Sequence, residues 1–205
     1  VRDELKKLKK ENLILNTATD SKVKTAQNPR TQQNVTEEII HEFLFQAHTA
    51  QQNQQLQIAI GTYNEILKIN KNHFEALLRL GLIYYNQGHF QDACTQLRKA
   101  FYINPDHSHL LLALGVAQLQ QNNISAAISS LSRLITIEPK NSQARLQLGA
   151  SLQAIGWVQA ALGQYQKAFE LDVKSGDAAF NIAVSNLALS TPNIPPRWQK
   201  GHRGF

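Results

Sequence analysis

The run from Phe74 to His107 reads FEALLRLGLIYYNQGHFQDACTQLRKAFYINPDH, a stretch of 34 residues that returns in altered form on both sides. Ile-Asn-Pro-Asp at 103–106 is answered by Ile-Glu-Pro-Lys at 137–140. The same offset carries Leu80-Gly81 onto Leu114-Gly115 and Leu148-Gly149, and Ala93 onto Ala127 and Ala161. One period back stand Ala47, Ala59 and Ile69-Asn70-Lys71-Asn72, and one period forward Ile182-Ala183. A fixed period of this length signals stacked supersecondary units, each too small to bury its own apolar face.

Inside the unit the apolar residues follow a helical period twice. Leu77, Leu80, Gly81 and Tyr84 share one stripe, and Ala93, Leu97 and Ala100 share the next. The small residue at Gly81 lets one helix sit close against its partner. Gly88 and Gly156 fall in the turn between helices, with Asn122 in the same place, because a left-handed residue commonly ends a helix. Pro105 and Pro139 punctuate the exits of second helices.

In these residues the sequence resembles the tetratricopeptide repeat family. Leu77, Leu80-Gly81, Tyr84, Ala93, Leu97, Ala100 and Pro105 stand in that family's order and spacing. The resemblance covers residues 40–190, as four full repeats and the first helix of a fifth. It implies an all-α fold, a right-handed α-solenoid of helix-turn-helix repeats, predicted over residues 36–190. Asn34, with Glu37 three residues on, is the predicted start of the first repeat helix. The end repeats depart from the pattern. The first has Ala47 for the glycine, Gln54 in the turn and Lys71 for the proline, and the fourth has Val173 for that proline. Atypical terminal repeats are expected of units that cap a stack.

Residues 1–35 read as a separate N-terminal segment. Val1, Leu5, Leu8, Asn12 and Leu15 are spaced as the seam of a heptad repeat, followed by a polar linker over 18–35. The seam predicts a coiled-coil stub and weak homodimerisation through residues 1–17; a charged helix that frays is the competing reading. Residues 191–205 carry three prolines and no helical period, so a disordered basic tail is expected, with a short basic-aromatic binding motif as the alternative. No methionine occurs anywhere, so the chain reads as a processed or trimmed product. Its localisation, cytoplasmic or tethered by a preceding segment, is left open.

The net charge of +6 is unevenly distributed. Residues 40–190 hold ten Lys/Arg against nine Asp/Glu, whereas 191–205 add three basic residues and no acidic one. A nucleic-acid binder gathers its basic residues on a folded face, and here they are scattered. No nucleic-acid partner is expected. One cysteine excludes an internal disulfide framework.

Nothing in the sequence assembles into catalysis. His41-Glu42 followed by His48 approaches a zinc-protease spacing, but Phe45 stands where the second histidine should be. His107-Ser108-His109 sits at a repeat junction, where the start of a helix is the ordinary explanation. Cys94 belongs to the core stripe of a second helix and is expected to be inert. No G-x-S-x-G or Walker-type loop occurs. The expectation is a protein that is not an enzyme and takes no cofactor, metal or small-molecule substrate.

The remaining role is a scaffold or adaptor holding a protein or peptide segment; the alternative is the regulatory or substrate-recruiting end of a larger enzyme. The family resemblance implies that the fifth, ninth and twelfth places of each first helix line a concave groove. The fifth places are Leu44, Leu78, Leu112, Leu146 and Phe180; the ninth include His48, Leu82, Val116 and Val184; the twelfth include Tyr85 and Leu119. An apolar strip of this kind marks an interaction site and fits an amphipathic or apolar segment. The same resemblance provides for a basic clamp on acidic tails, which needs polar fifth and sixth places. Here the fifth are apolar and the sixth are Phe45, Arg79, Ala113, Gln147 and Asn181, so that clamp is absent.

Overall fold

The computed structural model describes residues 29–190, with side-chain surroundings from Gln32 onward. These residues form nine α-helices and no strand. In order they are α1 (Pro29–Gln52), α2 (Leu56–Ile69), α3 (Phe74–Asn86), α4 (Phe90–Ile103), α5 (Ser108–Gln120), α6 (Ile124–Ile137), α7 (Ser142–Ala154), α8 (Val158–Leu171) and α9 (Gly176–Ser190). The expected helix pairs are all present. The expectations for residues 1–17 and 191–205 lie outside the described residues, as do positions 18–28 of the linker. Residues 29–35, read as linker, are helical instead: α1 begins at Pro29 and not at Asn34. A proline suits the first helical position, where its missing N–H would have no acceptor, and no glycine interrupts the polar run that follows.

Two compact units meet between Ala76 and Leu77. In the first, α1 packs on α2 and buries Phe43, Ala47, Ala50, Ala59, Tyr63 and Ile66. In the second, each helix from α4 to α9 packs on the next, and the first helices α5 and α7 also touch directly. Their core holds Leu131, Leu146, Leu148, Leu152 and Tyr165, with Leu112 and Leu119 packed against it.

The repeat period reappears as three recurring contacts. The first is a notch. A Cβ built on Gly81 would stand 2.7 Å from Leu97, on Gly115 2.7 Å from Leu131, and on Gly149 2.5 Å from Tyr165. Only glycine allows that approach, because real Cβ contacts do not fall so short. The second is a turn in which Gln54, Gly88, Asn122 and Gly156 all have positive φ, at 59°, 75°, 59° and 82°. Gln54 therefore adopts the glycine conformation despite its side chain.

The third is a helix cap. The Ala76 N–H donates to His73 Nδ1 at 3.2 Å, Leu110 N–H to His107 Nδ1 at 3.3 Å, Ala144 N–H to Asn141 Oδ1 at 2.8 Å, and Ala178 N–H to Ser175 Oγ at 3.3 Å. Four residues of three chemical kinds, one period apart, each satisfy an amide that a helix start leaves unpaired.

Candidate functional site

The ladder of first-helix residues begins, in the second unit, with α3. Leu78 at the fifth place is buried, whereas Leu82 and Tyr85 at the ninth and twelfth are half-buried. The Tyr85 ring meets Phe90 of α4 edge-on, with centroids 6.1 Å apart. On α5, Leu112, Val116 and Leu119 are half-buried, and Leu112 and Leu119 also pack against the core. On α7, Leu146 is buried, Ala150 is half-buried, and Gln153 accepts a hydrogen bond from the Tyr165 hydroxyl at 2.8 Å. On α9, Val184 is half-buried and Phe180 is 67% exposed.

The fifth places thus divide by their neighbours. Leu78 and Leu146 are core residues, Leu112 is shared between core and surface, and Phe180 stands in solvent. The ninth places are alike: Leu82, Val116, Ala150 and Val184 are apolar and only partly covered. None of the fifth, ninth or twelfth places from α3 to α9 is occupied by an acidic or basic residue.

In the first unit, Leu44 and His48 lie half-buried on α1. His48 Nε2 makes no hydrogen bond but lies 3.6 Å from Glu75 Oε1. The His48 ring meets Tyr63 edge-on, with centroids 6.2 Å apart. Gln51, the twelfth place of α1, accepts from the Tyr63 hydroxyl at 3.2 Å. Gln51–Tyr63 and Gln153–Tyr165 are the same pair three periods apart. Both were legible as matching letters, but only the packing shows that the glutamines turn inward onto a second helix.

The histidines and the cysteine have structural surroundings. His107 caps α5, and its ring lies 6.0 Å from that of His109. Hydrogen bonds from Ser108 and Asn141 hold the Glu138 carboxyl below its ordinary range, tying the start of α5 to the turn after α6. Burial lowers the pKa of His73, and the neighbouring Glu75 carboxylate opposes this. Burial pushes the Cys94 thiol up, with Arg98 opposing, so the nucleophilic thiolate is disfavoured. Among the described residues no three His, Cys, Asp or Glu side chains gather as a metal site, and no helix is long and apolar enough to cross a membrane.

Comparison with known proteins meets this geometry at the repeats. Models described as tetratricopeptide repeat match residues 74–107 and 108–141. No curated protein matches the chain at a significant level. Among solved structures the chain is similar to MamA, with a TM-score of 0.71 at 23% identity over 74% of this chain and 82% of that one. It is similar to YrrB, described as a TPR protein with an unusual peptide-binding site, with a TM-score of 0.69 at 21% identity over 77% and 85%. It is also similar to the first TPR of Spaghetti (RPAP3) bound to the HSP90 peptide SRMEEVD, with a TM-score of 0.55 at 20% identity over 57% and 93%. The two matched units stand in phase with the notches, turns and caps on either side of them: residues 74–141 match tetratricopeptide repeats, and the described residues have the all-α solenoid fold of such repeats.

Proposed function

We propose that this chain is a protein-interaction scaffold whose first-helix ladder takes an apolar or amphipathic peptide segment. The carrying observation is the set of ninth places: Leu82, Val116, Ala150 and Val184 are apolar, partly exposed and repeated at one period. Leaving such a row in water is unfavourable by about 25 cal/mol per Å², and an apolar partner removes that penalty. Leu112, Leu119 and Tyr85 flank the row, while Leu78 and Leu146 support it from the core. Leu44 and His48 offer a separate, smaller patch on α1.

Peptide binding by YrrB and by the RPAP3 repeat supports a peptide ligand in general. The peptide in the RPAP3 structure carries Glu-Glu-Val-Asp, whereas the ladder here lacks the cations that acidic groups need. An apolar anchor fits better. The test is Leu82→Lys combined with Val116→Lys, followed by partner capture from the native source and mass spectrometry. The expected result is at least a roughly tenfold loss of captured partners with little change in Tm, because both sites are only half-buried. Partners retained undiminished by the double variant would overturn the reading.

A further inference from the structure

Two exposed aromatic rings stand on helix faces of opposite charge. On α1, Phe45 is 66% exposed. Glu38, His41, Phe45 and Thr49 follow one another at helical spacing, with Glu42 beside them, and all five are exposed. Gln46 donates to the Glu42 carboxylate at 2.9 Å, which leaves its charge in place. No Lys or Arg occurs between Gln32 and Gln52, so this face is acidic.

On α4, Tyr102 is 84% exposed, more than any other large hydrophobic residue among those described. Arg98 and Lys99, four and three residues before it, share its side of the helix and are exposed. Arg98 donates through Nε to the Cys94 carbonyl at 3.3 Å and keeps its charge. The one acidic residue of α4, Asp92, stands in the first turn. Asp106, just beyond the helix, is paired with Arg133 at 2.8 Å. That guanidinium also lies over the ring of Phe101, 5.8 Å from its centroid. The face around Tyr102 is therefore basic.

We propose that these two faces bind each other between copies of this chain, α1 of one copy against α4 of the next. Both faces carry their charges on the N-terminal side of the ring: Glu38 and Glu42 before Phe45, Arg98 and Lys99 before Tyr102. Parallel docking of the two helices therefore sets ring against ring and carboxylate against cation in one register. Either face docked on itself would oppose like charges, so the contact is head-to-tail and leaves a free face at each end. The two rings expose on the order of 100–200 Å² each, against about 800 Å² per partner in a stable interface. The association is accordingly weak, reversible and dependent on charge. It stands whether or not the ladder from α3 to α9 takes a peptide.

The experiment is sedimentation equilibrium of the full chain at rising concentration. The average mass is expected to climb with concentration and to fall back in about 0.5 M salt, where the Debye length shortens to about 4 Å. One variant carries Glu38→Lys with Glu42→Lys, and a second carries Arg98→Glu with Lys99→Glu. Each alone should weaken the association at least roughly tenfold. An equimolar mixture should restore it, because the reversed α1 of one variant then meets the reversed α4 of the other. A monomer mass at every concentration overturns the proposal. Association that either variant retains undiminished also overturns it, and assigns the contact to another surface, such as residues 1–17. Failure of the mixture to restore what each variant loses overturns the pairing of these two faces.

Discussion

Tyr165 reaches across its helix pair to donate a hydrogen bond to Gln153 at 2.8 Å, and the same ring fills the notch at Gly149. One side chain therefore does the packing that Leu97 and Leu131 do in the two preceding repeats, and also holds the twelfth-place Gln153 inward. Burial pushes the Tyr165 phenol up to about 12 from its ordinary 10.0. The unfolded chain releases this proton first as pH rises, so stability is complete below pH 10 and declines between 10 and 12. The full effect is on the order of 2 kcal/mol. Tyr165→Phe is expected to remove this alkaline dependence and to cost about 1 kcal/mol at neutral pH through the lost hydrogen bond. Denaturant melts of both proteins from neutral pH to pH 12 check the two effects separately.

The notch glycines and the other helical glycines should respond to alanine with opposite sign. Gly149→Ala drives a methyl into the Tyr165 ring, which Gln153 holds by its hydroxyl, and Gly115→Ala drives one into Leu131. Each should cost about 1–3 kcal/mol, as overpacking does. Gly163, inside α8, has nothing within 4 Å of an added Cβ. Gly163→Ala should stabilise by up to about 1 kcal/mol, the difference in helix propensity. Urea melts of the three variants would show the split.

Much of this was readable from letters alone, for a physical reason. The notch, the turn and the exit of each second helix admit few residue types, so Gly81, Gly115, Gly149, Gly88 and Gly156 recur visibly at one period. The caps were not readable, because His73, His107, Asn141 and Ser175 share only an acceptor atom, and any of several side chains supplies it. The start of α1 at Pro29 was missed because a polar run looks the same as linker or as a solvated helical turn. At the ladder, sequence placed Leu78, Leu112, Leu146 and Phe180 together. The packing separates them: Leu146 joins the core with Tyr165 of the following helix α8, whereas no described helix follows α9 to cover Phe180.

The His73 cap predicts an acid-side dependence. Its Nδ1 accepts the Ala76 N–H and so must be unprotonated, and burial already lowers its pKa from 6.5. The unfolded chain takes up the proton first as pH falls, so the contribution is complete above pH 6.5 and is lost below it, down through the lowered folded value. His73→Asn keeps an acceptor that does not titrate. It should match the parent in Tm near neutrality and exceed it at mildly acidic pH, as measured by thermal melts across that range.

Gln54 gives the sharpest test of the turn. It holds φ 59° in the place where Gly88 and Gly156 stand in later repeats, and it is exposed, with no hydrogen-bonded side chain to compensate. A residue with a Cβ in the left-handed region is disfavoured by about 1 kcal/mol, whereas glycine adopts it freely. Asn122, also at φ 59°, tolerates the region better because of its short polar side chain. Gln54→Gly should therefore stabilise the first unit by up to about 0.5 kcal/mol after the entropy of the more flexible unfolded chain is subtracted. Asn122→Gly should gain less. Equal gains in urea melts would mean that the strain at Gln54 is relieved elsewhere in α1 and α2.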